Sequence, residues 1–141
     1  MSFDTLGDLN WLAVIVATIA YFALGALWYA PPVFGRAWQR AGGVEMVEGQ
    51  RPGIAFYLGP LLTCFLAAVA TAMLALATTS TTFGEGVVLG VVLGVGVAAA
   101  VVFVMGIFDT HKPDPMTWFA ISAGYHLVGL TIAAVIVALW D

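Results

Sequence analysis

The sequence predicts an all-α integral membrane protein: a four transmembrane helix bundle with a short cytoplasmic interfacial helix after the first helix. Three observations carry that prediction. Hydrophobic residues make up 62% of the chain and charged ones 9%, against about 45–50% and about 25% in ordinary soluble domains. Four basic and eight acidic side chains in 141 residues cannot cover a soluble surface. The charges also sit in short islands, at Asp4 and Asp8, in residues 36–51, at Glu85, in residues 109–114 and at Asp141. Between the islands lie four uncharged apolar stretches, each able to supply the roughly 20 residues that cross a hydrocarbon core of about 30 Å.

The first helix is expected over about residues 9–30. Pro31 and Pro32 end it, since neither can donate to the helical ladder. Trp11 stands near one end and Trp28-Tyr29 at the other, where aromatic rings meet the two interfaces. Over residues 33–42, Val33, Phe34, Ala37, Trp38 and Ala41 share one helical face and Arg36, Gln39 and Arg40 the other. That is the pattern of an amphipathic helix lying in the interface, with Trp28, Tyr29, Phe34 and Trp38 as anchor. Arg36 and Arg40 beside this anchor suggest a lipid-headgroup groove as an alternative role. The segment 44–52, with Glu45, Glu48, Gly49 and Arg51, reads as solvated loop.

The second helix is expected over about 54–78, either kinked at Pro60 or starting there with the proline in its first turn. A polar turn at 78–82 leads to the third helix, about 86–108. A short loop, 109–115, leads to the fourth, about 116–140. All four basic residues, Arg36, Arg40, Arg51 and Lys112, follow the first or third helix. By the positive-inside tendency, loops 31–53 and 109–115 are cytoplasmic and both termini extracytoplasmic. The N-terminus lacks the basic start of a cleaved signal peptide, so the first helix is read as retained. No repeat relates the two hairpins.

Gly25-Ala26-Leu27-Trp28-Tyr29-Ala30-Pro31, followed by Phe34-Gly35 and Ala37-Trp38, forms a distinctive block. With Asn10 before the first helix and Ala123-Gly124-Tyr125-His126-Leu127 in the fourth, the chain resembles DUF1761, the domain-of-unknown-function family 1761. Ser122 stands where that family is expected to carry Asn. The resemblance spans nearly the whole chain and implies a small bacterial protein of four membrane helices, placed in the inner (plasma) membrane. It implies no activity.

Few residues offer chemistry. Gly86, Gly90, Gly94 and Ala98 put a small residue at every fourth position of the third helix, a glycine zipper that lets another helix approach backbone to backbone. A partner within the chain and a second subunit both satisfy the pattern, and a homo-oligomer packed through this helix is the expectation. A pore lined by these glycines is a lesser alternative. Trp118 and Trp140 are 22 positions apart, about 33 Å of helix, which places His126 about 12 Å inside the nearer interface. A polar ring at that depth needs protein or water around it. Ser122, Tyr125, Thr131, Thr18 and Tyr21 are its candidate partners, for an interhelical hydrogen bond or for a transport route.

Other chemistry is weakly represented. Asp109 and His111 supply two ligand types but no complete metal site. Cys64, alone in an apolar stretch, forms no intrachain disulfide. A net charge of −4 without a basic patch argues against nucleic-acid binding. No cofactor motif, activated nucleophile or close carboxylate pair points to an enzyme. The expected partners are membrane lipids, a second copy of the chain, or an unidentified membrane protein. The functional expectation is a structural or interaction module forming a homo-oligomer, with a small transporter or channel near His126 as the alternative.

Overall fold

The computed structural model describes residues 2–45 and 52–140. Glu48, Gly49 and Arg51 of the expected solvated loop, and Asp141, lie outside them. A 3-10 turn, Phe3–Gly7, precedes α1, Trp11–Trp28. A π turn, Pro31–Gly35, leads directly into α2, Arg36–Gly42, and the next helix is α3, Ala55–Thr78. The third spanning rod comprises α4, Phe83–Leu93, a π segment, Gly94–Ala99, and α5, Ala100–Phe108, while α6 covers Pro115–Leu139. Four rods, Trp11–Trp28, Ala55–Thr78, Phe83–Phe108 and Pro115–Leu139, are long and apolar enough to cross a membrane, so this is a multi-pass membrane protein.

Local chemistry sets the boundaries. Asn10 caps α1 by accepting the Ala13 N–H at 3.2 Å, and Asp114 caps α6 by accepting the Thr117 N–H at 3.1 Å. Thr82 and Glu85 form a reciprocal capping box. The third rod therefore starts at Phe83, three residues ahead of the expected start, because Glu85 belongs to the helix's first turn and not to the turn before it. Pro60 lies inside α3, which begins at Ala55, so of the two expected arrangements the late start is excluded. At the end of α3, Thr79 adopts a left-handed conformation (φ 49°) and its N–H closes onto the last carbonyls.

The helix α6 forms the centre, with 50% of its most apolar window buried against 17% for the third rod. It packs against every other spanning rod. One seam joins Ala13, Val14 and Ala17 of α1, Ala68, Ala72 and Ala75 of α3, and Ala133 and Val137 of α6. Small side chains bring these axes close, where dispersion does the work that the hydrophobic effect cannot do in lipid. The threonine hydroxyls turn inward on their own helices. Thr18, Thr71 and Thr131 each donate to the carbonyl four residues earlier at 2.7 Å, which satisfies them without a partner helix.

The second seam is the glycine stripe, and its partner is α6 of the same chain. A Cβ at Gly86 would lie 2.8 Å from Val135 Cα, and one at Gly94 would lie 2.8 Å from Leu127 Cα. A Cβ at Gly90 would overlap the backbone of Thr131. Ala98, the fourth position, is half-buried against the cluster of Tyr21, Cys64, Tyr125 and Leu130. The expectation of a second subunit on this face is therefore corrected: α6 already fills the stripe, leaving no room for another backbone.

Candidate functional site

The two blocks that carry the family resemblance meet face to face. Gly25 of α1 lies under Tyr125 of α6, with a Cβ there only 2.9 Å from the phenol oxygen. Gly124 of α6 lies under the Trp28 ring, 3.2 Å from the corresponding Cβ position. Gly129 of α6 lies under the Tyr21 ring, leaving no space for a side chain. Each helix thus gives up side chains where the other inserts a ring. Tyr29 joins this cluster edge-on, with ring centroids 5.3 Å from Tyr125 and 5.4 Å from Trp38.

Polar atoms within the interlock are paired across helices. The Tyr21 hydroxyl and His126 Nδ1 are 2.6 Å apart. The Trp28 indole N–H donates to the Ile121 carbonyl at 3.0 Å, and the Trp38 indole N–H donates to Ser122 Oγ at 3.0 Å. Tyr125 Oη lies 3.5 Å from Cys64 Sγ and 3.4 Å from the Tyr21 carbonyl. Unpaired polar groups in hydrocarbon cost several kcal/mol, which gives these pairings their weight.

Of the residues expected around His126, the structure brings Tyr21 and Tyr125 to it and assigns the others elsewhere. The Tyr125 and His126 ring centroids are 4.8 Å apart. Ser122 faces Trp38, while Thr18 and Thr131 bond their own helices. Tyr21 reaches Nδ1, and Nε2 has no hydrogen-bond partner among the described residues. The imidazole is half-buried, and the π segment lies at the same depth, Gly94 packing on the adjacent Leu127. Wide helical turns of this type interrupt regular hydrogen bonding and are frequent at functional sites.

The expected interfacial anchor is mostly turned inward. Trp28, Tyr29 and Trp38 are half-buried within the protein, whereas Phe34 is exposed, its ring tilted against Trp28 with centroids 4.8 Å apart. Gly35 makes the turn possible, because a Cβ there would strike the Tyr29 carbonyl. Arg36 and Arg40 are exposed. The end of α2 docks on the 109–115 loop, with the Asp114 N–H donating to the Ala41 carbonyl at 3.1 Å. Gly43 (φ 67°) ends α2 against Pro113. In the same loop Lys112 pairs with Asp109 and lies 4.4 Å over the Trp118 ring. Asp109 and His111 do not form part of any group of three metal-ligating side chains among the described residues.

Sequence reasoning missed the alanine seam and the ring-on-glycine interlock. Their signal was present as Ala13 with Ala17, Ala68 with Ala72, and Gly25, Gly124 and Gly129 in apolar helices. Spacing alone did not say which ring would meet which glycine.

No curated protein and no solved structure matches the chain. A family model described as a protein of unknown function (DUF1761) matches residues 12–138, a span running from the first turn of α1 almost to the end of α6. The chain belongs to the DUF1761 family.

Proposed function

We propose that this protein is a membrane interaction module that self-associates through the outer face of α3 near His126. The observation that carries the reading is the state of α3's first half. Every residue from 55 to 63 is exposed, and a Cβ at Gly59 would meet nothing within 4 Å. A helix packed on one side buries a stripe; this half buries none. The adjoining residue of α3, Cys64, touches Tyr125, whose neighbour His126 is half-buried with Nε2 unpartnered among the described residues. A second copy covering this face supplies both apolar contacts and a hydrogen-bond partner for His126.

The test is cysteine cross-linking in vesicles on a Cys64→Ala background. Leu58→Cys is expected to give a cross-linked dimer, and Leu12→Cys, on the exposed face of α1, is not. Equal cross-linking at both positions, or none at Leu58→Cys, overturns the reading. We further propose a bacterial inner-membrane location with the α2 end cytoplasmic, the side of Arg36, Arg40 and Lys112.

A second reading, a small transporter or channel, draws on the open Nε2 of His126 beside the π segment. The cavities of about 20 Å³ and 240 Å³ are lined by other residues, and this reading places the route past His126 between copies. Equal proteoliposome flux for wild type and His126→Ala removes this reading.

A further inference from the structure

A groove of about 240 Å³ opens between α2 and the start of α6, lined by Ala37, Arg40, Ala41, Asp114 and Thr117. It lies where the spanning helices end, level with the docked α2, and therefore in the headgroup layer of a bilayer. Arg40 is exposed and makes no ion pair among the described residues. Asp114 accepts the Thr117 N–H at 3.1 Å, with the Thr117 hydroxyl and the Met116 N–H as further donors, and an ionised carboxylate has about four acceptor sites in all. The groove thus offers a guanidinium and a carboxylate from different helices, each with unused hydrogen-bonding capacity. Arg36, which the sequence paired with Arg40, does not line it.

That pairing selects the ligand's chemistry. Two arginines alone would favour any anionic headgroup. An arginine beside a carboxylate favours a headgroup carrying both signs, with phosphate toward the guanidinium and a cation toward the carboxylate. Guanidinium binds phosphate oxygens bidentately. A primary ammonium offers three N–H donors to the carboxylate, whereas a quaternary ammonium offers none. Hydrogen bonding from Thr117 holds the Asp114 carboxyl below its usual range, so it is ionised at neutral pH.

We propose that this groove binds the zwitterionic headgroup of phosphatidylethanolamine, with phosphate on Arg40 and ammonium on Asp114. The fold positions both ends of the site, since the Asp114 N–H bonded to the Ala41 carbonyl holds the loop against the last turn of α2.

The experiment places the full chain in nanodiscs of equal phosphatidylethanolamine, phosphatidylcholine and phosphatidylglycerol, then counts retained lipids by native mass spectrometry. Wild type is expected to retain phosphatidylethanolamine about threefold over either competitor, the scale of one exposed ion pair. Asp114→Asn keeps a competent helix cap and is expected to lose the preference over phosphatidylcholine and phosphatidylglycerol. Arg40→Gln is expected to reduce retention of all three. Lipids retained by wild type in the proportions supplied overturn the proposal. So does an unchanged preference in both variants, with helix content checked by circular dichroism.

Discussion

The Tyr21 hydroxyl lies 2.6 Å from His126 Nδ1, joining α1 to α6 inside the membrane-spanning region. The Tyr21 ring also fills the space over Gly129, so one residue supplies both a polar and a packing contact. Removing the hydroxyl alone separates the two. Tyr21→Phe is expected to lower stability by about 1 kcal/mol, the scale of interhelical hydrogen bonds in membranes. A double-mutant cycle with His126→Leu, read by unfolding in mixed micelles, should show coupling of similar size. Strict additivity would remove the bond as a stabilising contact.

The glycine stripe makes a prediction about folding and not about assembly. Gly90→Ala forces a Cβ into the Thr131 backbone and should cost about 1–3 kcal/mol, the usual penalty for overpacking. Gly84 in the same helix faces open space, and Gly84→Ala should be neutral or stabilising by up to about 1 kcal/mol. Thermal unfolding of the pair in one detergent tests this. Equal midpoints would contradict the seating of α4 on α6.

Asn10 acts at both ends of the chain. Its side-chain oxygen caps α1, and its amide N–H donates to the Trp140 carbonyl at 2.7 Å. Asn10→Asp keeps the cap and loses the donor, whereas Asn10→Ala loses both. Stability should fall in the order wild type, Asp, Ala, with about 1 kcal/mol for the lost cap. Faster amide exchange near Leu139 should appear in both variants, and identical exchange in all three proteins would dismiss the link.

The 109–115 loop should respond to acid. The Lys112 side chain, followed by the His111 backbone N–H, holds the Asp109 carboxyl below its usual range. A depressed carboxyl stabilises the folded loop above the ordinary carboxylate pKa and loses that contribution as pH falls through the lower, folded value. Lys112 lies over Trp118, so Trp118 emission is the readout. It should change below about pH 4 in wild type and change less in Asp109→Asn, where the depressed Asp114 carboxyl remains. A matching transition in the variant would assign the change to another group.

Four apolar stretches, their charged islands and the proline and capping punctuation were legible in the sequence because each is local. A spanning helix satisfies its own backbone hydrogen bonds and needs only length and apolar composition to declare itself. The spacing of Gly86, Gly90 and Gly94 likewise announced a close helix contact, and the depth of His126 announced a need for a partner. What spacing could not choose was the partner, because every helix offers lipid-compatible surfaces on several sides. Only the tertiary structure set α6 at the centre, closed the glycine stripe with it, matched Tyr21 to His126 and turned Trp28 and Trp38 inward. Those choices rest on which rings and glycines complement one another in shape, a property of two helices together that neither segment carries alone.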